Sequence, residues 1–184
     1  MAGPRRAAST DEGALNGARM LVVEARYYDG IADELLAGAR RALEAAQVGY
    51  DVATVPGALE IPQAIVIALD AAAKRKAPYD GVVALGCVIR GETSHYDIVA
   101  GESARALMDI GVARGVPVGN GILTVDKEDQ AWARARPDGE DKGAAAAKAA
   151  LALVRLKRSL AKGPKGPKGP KGAMKPVRGA RGRR

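Results

Sequence analysis

Four short apolar runs, each followed by a stretch with helical periodicity, constrain the fold of this chain more than any other feature. Continuous apolar runs of five to seven residues are typical of strands that are covered on both faces. Strands that alternate with helices predict an α/β fold with a parallel sheet between two helical layers. The predicted strands are 19–25, 50–55, 81–85 and 116–125; the predicted helices run from 31 to before 49, from 58 to before 78, and over about 96–113, 127–135 and 142–159.

Polar residues follow the predicted strands at the points where the strands end. They comprise Tyr27, the turn at 56–60, the segment Arg90–Asp97, and the residues from Asn120 onward. Right-handed crossovers place all strand-to-helix connections of a parallel sheet at one edge, where α/β proteins bind their ligands. The sequence therefore predicts a ligand site at the carboxyl edge of the sheet, centred on the connection 86–101.

That central connection carries residues suited to phosphate binding and to proton transfer. The turn Gly91–Ser94 can present backbone N–H groups at a helix start, although it is neither a Walker loop nor a dinucleotide fingerprint. His95 is the only histidine of the chain, and its side chain ordinarily titrates near neutral pH. Two interpretations of His95 stay open at this point: a general acid/base, oriented by Asp97 or Glu92, or a surface or capping residue.

Other polar or reactive residues have ordinary structural interpretations beside the functional ones. Cys87 is expected to be a small buried hydrophobe, because no second cysteine or base motif marks it as a nucleophile. Metal binding is not expected, since one His and one Cys supply too few donors. Tyr27 and Tyr28 can stack on a planar ligand or cover a core edge. Arg134 is a solvated charge unless it converges on the phosphate turn.

The charge of the chain is divided unevenly along its length. All 21 acidic residues lie in 1–154, which has a net charge of −4, whereas residues 155–184 carry a net charge of +12. We therefore expect a flexible N-terminal arm over 1–18, one folded domain over 19–160, and a disordered basic Lys-Gly-Pro tail over 161–184. The tail is either a solvated extension or an arm that contacts a polyanion. A lone cysteine, no hydrophobic leader and no apolar run of membrane-spanning length favour a cytoplasmic protein.

Three segments closely resemble the lumazine synthase family of riboflavin biosynthesis. They are PGALEIP at 56–62, GCVIRGETSHYD at 86–97 and PVGNGILTVDKEDQAWARA at 117–135, and the resemblance extends from Arg19 to Leu156. It implies a flavodoxin-like three-layer αβα sandwich with a four-stranded parallel sheet. It also implies a transferase without a cofactor that condenses 5-amino-6-(D-ribitylamino)uracil with 3,4-dihydroxy-2-butanone 4-phosphate. Assembly in multiples of five, up to a sixty-subunit icosahedral shell, belongs to the same expectation.

The resemblance assigns roles position by position. It implies that His95 transfers protons, and that Glu92 and Thr93 meet the butanone phosphate together with Arg134 of a neighbouring subunit. Lys142 matches a lysine near the pyrimidine edge. The remaining implied substrate-binding positions, which would line the pocket for the ribityl chain and the ring, are Ala58, Leu59, Glu60, Cys87, Val88 and Ile89.

This chain departs from the family pattern at three positions. The family often has Phe where Tyr27, Leu59 and Asn120 stand here, so stacking on the pyrimidine is expected to be weaker, or to be replaced by amide hydrogen bonds from Asn120. A second hypothesis, from another class, is a scaffold or binding protein whose working part is the basic tail.

Overall fold

The structure, a computed structural model, describes residues 14–161, and four parallel strands form its centre. The strands are β1 (Arg19–Ala25), β2 (Gly49–Val55), β3 (Gly81–Ile89) and β4 (Val118–Val125), in the spatial order β2-β1-β3-β4. Every neighbouring pair is parallel. The helices are α1 (Asp29–Ala45), α2 (Glu60–Lys74), α3 (His95–Arg114), α4 (Glu128–Ala135) and α5 (Lys142–Ala161).

The helices form two layers, one on each face of the sheet. Alternate residues of β1 belong to different cores, because successive side chains of a strand point to opposite faces. Met20 and Val22 pack with α1, α4 and α5, whereas Leu21 and Val23 pack with α2 and α3. The predicted αβα sandwich with a four-stranded parallel sheet is confirmed.

The bounds of β3 correct the predicted connection at 86–101. Residues 86–89 continue the strand and pair in parallel with 122–125 of β4, so the strand is four residues longer than predicted. The longer strand carries Cys87, Val88 and Ile89 to the carboxyl edge of the sheet. The true connection is therefore only the turn 90–94, and His95 is the first residue of α3.

The amino-terminal end of the described chain also departs from the prediction. Leu15 and Ala18 are buried in the core beside α1, and the Leu15 N–H donates to the Ala46 carbonyl at 2.9 Å. This apolar contact and backbone bond attach residues 14–18 to the fold, although they were expected to belong to a flexible arm. The rest of that arm, and the basic tail beyond 161, lie outside the described residues.

Candidate active site

A groove that touches most of the predicted site residues opens at the carboxyl edge of the sheet. It has a volume of about 570 Å³ and lies between the ends of β1, β2 and β3 and the start of α3. Nine of the residues proposed from the sequence line it: Tyr27, Ala58, Leu59, Glu60, Cys87, Val88, Ile89, Thr93 and His95. The strand order explains this convergence, because β1 lies between β2 and β3 and all three end at the same edge.

The connection after β1 presents two tyrosines to the groove. Tyr27 is 73% exposed, and its ring meets that of Tyr28 edge to face with centroids 4.9 Å apart. Arg26 fixes the base of this connection, since it donates to Asp29 at 2.9 Å and to Asp33 at 2.7 Å. The same guanidinium pairs with Glu24, a carboxylate buried at the end of β1. Tyr27 is thus an exposed aromatic face on an anchored loop.

The turn after β2 forms a second wall. Ala58 is buried, Leu59 is half-buried, and Glu60 is the exposed first residue of α2. Gly57 lies against this carboxylate, because a Cβ at position 57 would stand 2.9 Å from Glu60 Oε2. The absence of a side chain there therefore leaves room for the Glu60 carboxylate beside the groove.

The end of β3 contributes an apolar wall that includes the only cysteine of the chain. Cys87 is 9% exposed, and burial together with the charge of Glu128 raises the pKa of its thiol to about 12. A thiol with that pKa is protonated at neutral pH and is a poor nucleophile. Val88 and Ile89 continue the wall. This agrees with the expectation of a small buried hydrophobe.

The turn after β3 brings His95 to the groove at the start of α3. His95 is exposed, and its backbone N–H donates to Thr93 Oγ1 at 3.4 Å. Asp97, one of the two carboxylates suggested as its orienting partner, pairs instead with Arg90 at 3.2 Å. Glu92 is exposed on the same turn but is not among the groove-lining residues.

Three further predicted residues lie away from the groove within one chain. Asn120 pairs with Ala84 in the middle of β4, not at its end, and borders a separate cavity of about 410 Å³ beside α3. Arg134 Nη1 donates to the Gln130 carbonyl at 3.0 Å, and Lys142 Nζ pairs with Glu140 at 2.8 Å. The expectation that Asn120 joins the same sheet edge was wrong, because β4 continues for five residues beyond it.

The groove also includes lining residues to which the sequence interpretation gave no individual substrate-binding role. Pro56, Gly57, Gly91 and Tyr96 lie within the segments 56–60 and 90–97 that were expected at this edge, and Tyr28 was expected to stack on a ligand or to cover a core edge. Val99 was not foreseen; it lies four residues after His95 on α3, a helical spacing that could have indicated it. Among the described residues, no Lys or Arg lines the groove, and no cluster of three or more His, Cys, Asp or Glu could hold a metal ion.

The fold and the groove together define a class of protein: an α/β enzyme of the flavodoxin-like kind, with a mixed apolar and polar site at the carboxyl edge of its sheet. The family model of 6,7-dimethyl-8-ribityllumazine synthase matches residues 17–158. The chain belongs to this family of transferases, whose reaction is a step of riboflavin biosynthesis. In residues 14–161, no helix has the length and apolar character needed to cross a membrane.

Relatives of known name support the same assignment. The chain is 61% identical to the 6,7-dimethyl-8-ribityllumazine synthase of Rhodopseudomonas palustris strain BisA53 over 149 residues, which cover 81% of this chain and 91% of the relative. It is 67% identical to the synthase of Methylorubrum extorquens strain PA1 over 135 residues, 73% of this chain and 78% of the relative. The synthase of Azorhizobium caulinodans is 64% identical over 135 residues, 73% and 83% of the two chains.

Proposed function

We propose that the carboxyl-edge groove is the place where this chain performs the reaction of its family. The amine of 5-amino-6-(D-ribitylamino)uracil condenses with 3,4-dihydroxy-2-butanone 4-phosphate, and the products are 6,7-dimethyl-8-ribityllumazine, phosphate and water. The observation that carries the placement is the convergence of Tyr27, the 58–60 turn, the 87–89 wall and His95 on one groove. Holding two substrates in one groove supplies much of the rate of a condensation.

The walls suit the ring and the ribityl chain of the uracil substrate. Tyr27 offers an exposed aromatic face, and Leu59, Val88 and Ile89 offer apolar surface on which a planar ring can lie. Glu60 adds a carboxylate at the start of α2 that can accept hydrogen bonds from ribityl hydroxyls or from ring N–H groups. Ala58 and Cys87 are too small and too buried to do more than shape the wall.

The turn at 91–94 and His95 suit the phosphate and the proton transfers. Gly91 and Thr93 line the groove and can donate a backbone N–H and a hydroxyl to a phosphate, with Glu92 on the same turn. Imine formation, phosphate elimination and ring closure each move a proton, and His95 stands next to that turn with an exposed imidazole. His95 is therefore the group that shuttles these protons.

A phosphate leaving group is stabilised by cations, and no Lys or Arg of the described residues lines the groove. Glu60 lines it and adds a negative charge, so we expect a neighbouring copy to supply the cation. We propose that a neighbouring copy supplies Arg134 at the phosphate and Lys142 and Asn120 near the ring, because all three lie away from the groove of their own chain. This completes the groove at a contact between two subunits.

An apolar groove on α3, α5 and β4 supports such a contact. It has a volume of about 460 Å³, and its exposed apolar residues include Met108 at 66%, Val112 at 78% and Leu160 at 72% exposure. Exposed apolar side chains gathered in one area are typical of surfaces that bind a protein partner, a membrane or a ligand. We propose assembly in multiples of five, up to a sixty-subunit shell, in the cytoplasm. For the basic tail, a solvated extension and an arm that contacts a polyanion both stay open as predicted.

The function is tested by incubating the full chain with both substrates and following the absorbance of the lumazine product. His95→Ala is expected to slow product formation about 10- to 100-fold or more, at or just below the lower end of the range of about 100- to 10,000-fold for lost acid/base help, because water reaches the exposed site. No product from the unaltered chain would refute the function. A His95→Ala rate equal to that of the unaltered chain would refute only the role of His95.

The assembly and the tail are tested separately. Light scattering measures the mass of the particle, and a stable monomer would rule out a site shared between subunits. Deleting residues 162–184 should abolish retention of RNA or DNA, and retention by the full chain should fall steeply as salt is raised. Equal retention with and without the tail would refute polyanion contact through it.

A further inference from the structure

The Arg90 side chain joins three elements beside the phosphate turn. Its backbone N–H donates to the Val125 carbonyl at 2.9 Å, which ties the end of β3 to the end of β4. Its Nε donates to Asp126 Oδ1 at 3.0 Å, and its Nη1 donates to Asp97 Oδ1 at 3.2 Å. The guanidinium carbon also lies 4.0 Å from the centre of the Tyr96 ring. Through its backbone and its side chain together, Arg90 therefore connects the end of β3, the end of β4 with the residue after it, and the first turn of α3.

The start of α3 has no side-chain cap, although its first turn has backbone hydrogen bonds to the Ser94 carbonyl and Tyr96 and Val99 pack against the core. The residue before the helix, Ser94, makes no capping hydrogen bond with its side chain, and the contact of the His95 N–H with Thr93 Oγ1 is long at 3.4 Å. A helix start normally gains stability from such a cap. Here the two residues directly after His95 are the ones that Arg90 contacts, so Arg90 supplies the restraint that the cap does not.

The same geometry argues against Arg90 as a ligand of the phosphate. Ile89 and Gly91 line the groove, but Arg90 between them does not. Its charge faces two carboxylates, and the hydrogen bond to Asp126 is the main cause that raises its pKa above the usual value. A guanidinium is the side chain suited to this task, because its planar fork can bond two carboxylates and stack on a ring at once.

We propose that Arg90 is a positioning residue of the reaction: it holds the turn 91–94 and the imidazole of His95 against the groove without touching either substrate. The inference rests on the proposed function of that groove. Displacement of a catalytic group by about 1 Å can cost up to about 100-fold in rate, so loss of the restraint should be visible in turnover.

Arg90→Gln removes the charge and the fork, and Arg105→Gln is its matched control. Arg105 lies on α3, the helix whose first turn Arg90 contacts, and like Arg90 it pairs with two carboxylates, Glu102 at 2.8 Å and Asp109, but it lies ten residues beyond His95. We expect kcat of Arg90→Gln to fall about 10- to 100-fold, with KM for ribitylaminouracil within about twofold of the unaltered chain. Arg105→Gln should retain kcat within about twofold, and both variants should keep the particle mass and far-ultraviolet circular dichroism.

Two further variants separate a restraint from a phosphate contact. Arg90→Lys keeps the charge but cannot bond both carboxylates, so its kcat should lie between those of the unaltered chain and Arg90→Gln. Asp126→Asn keeps the arginine and weakens the restraint, so its kcat should also fall. A phosphate ligand would behave in the opposite way, because a guanidinium relieved of Asp126 would bind butanone phosphate as well or better, with an equal or lower KM and unchanged kcat.

The possible results are distinct. If the unaltered chain forms no lumazine, the proposed function fails, whatever the variants do. If it forms lumazine and Arg90→Gln turns over within about twofold of it, the role of Arg90 fails and the function stands. If Arg90→Gln does not fold, Asp126→Asn decides: a lower kcat supports the restraint, and an unchanged kcat overturns it.

Discussion

Removing the aromatic face of Tyr27 should weaken binding of the uracil substrate more than it weakens the fold. Tyr27 is 73% exposed. Since a tyrosine side chain has an accessible area of about 200 Å², about half of its exposed area, or about 70 Å², belongs to one ring face. At about 25 cal/mol per Å², covering that face with a substrate ring contributes about 1.8 kcal/mol, or about 20-fold in affinity. Tyr27→Ala should therefore raise the Kd of ribitylaminouracil about 20-fold.

The assay is a calorimetric titration of ribitylaminouracil into the full chain in the absence of butanone phosphate. Tyr27→Phe is the matched control, because it keeps the ring face and the edge contact with Tyr28 and removes only the hydroxyl. Tyr27→Phe should bind within about twofold of the unaltered chain. Equal affinity of Tyr27→Ala and Tyr27→Phe would refute stacking, and a loss in both variants would show that the hydroxyl is the binding group.

Three further predictions concern packing, the thiol and pH. Gly119→Ala should lower the free energy of unfolding, measured by chemical denaturation, by about 1 to 3 kcal/mol, because the new Cβ would overlap the carbonyl of Ala146 in α5. Gly101→Ala is the control: a Cβ at position 101 has nothing within 4 Å, so this variant should not destabilise the fold. Cys87 should resist alkylation by iodoacetamide at pH 7, and the rate should rise with pH toward its pKa of about 12; rapid labelling at pH 7 would refute the buried wall. The hydrogen bond from Tyr79, and after it the pairing with Arg19, lower the pKa of Asp51 in the folded chain. The ionised Asp51 carboxylate therefore stabilises the fold at pH values above the pKa that it has in the unfolded chain, and this stabilisation is lost as pH falls through the pKa of the folded state. Thermal melting of Asp51→Asn should accordingly show a smaller drop between pH 6 and pH 3 than the unaltered chain, and an equal drop would contradict this.

The existence and order of the elements followed from the sequence, because local patterns carry that information. The apolar run at 19–25 became β1 with the predicted bounds, and the helical periodicity after it became α1. The residues at 87–89 and 91–95 are neighbours along the chain, so their common position beside one groove could also be read from the sequence. The end of β3 could not, because Gly86–Ile89 are strand residues only through their pairing with β4.

The sequence predicted that the strand ends share one edge of the sheet, whereas only the tertiary structure decided which of these ends are neighbours. The order β2-β1-β3-β4 brings Tyr27 between the 58–60 turn and the 87–89 wall, and strand order depends on the packing of the helical layers, not on any local run. In the folded chain, Asp97 pairs with Arg90 and not with His95, and Leu15 packs into the core beside α1. Local sequence fixes backbone preference within a few residues, whereas side chains separated by tens of residues become neighbours only when apolar faces are buried together.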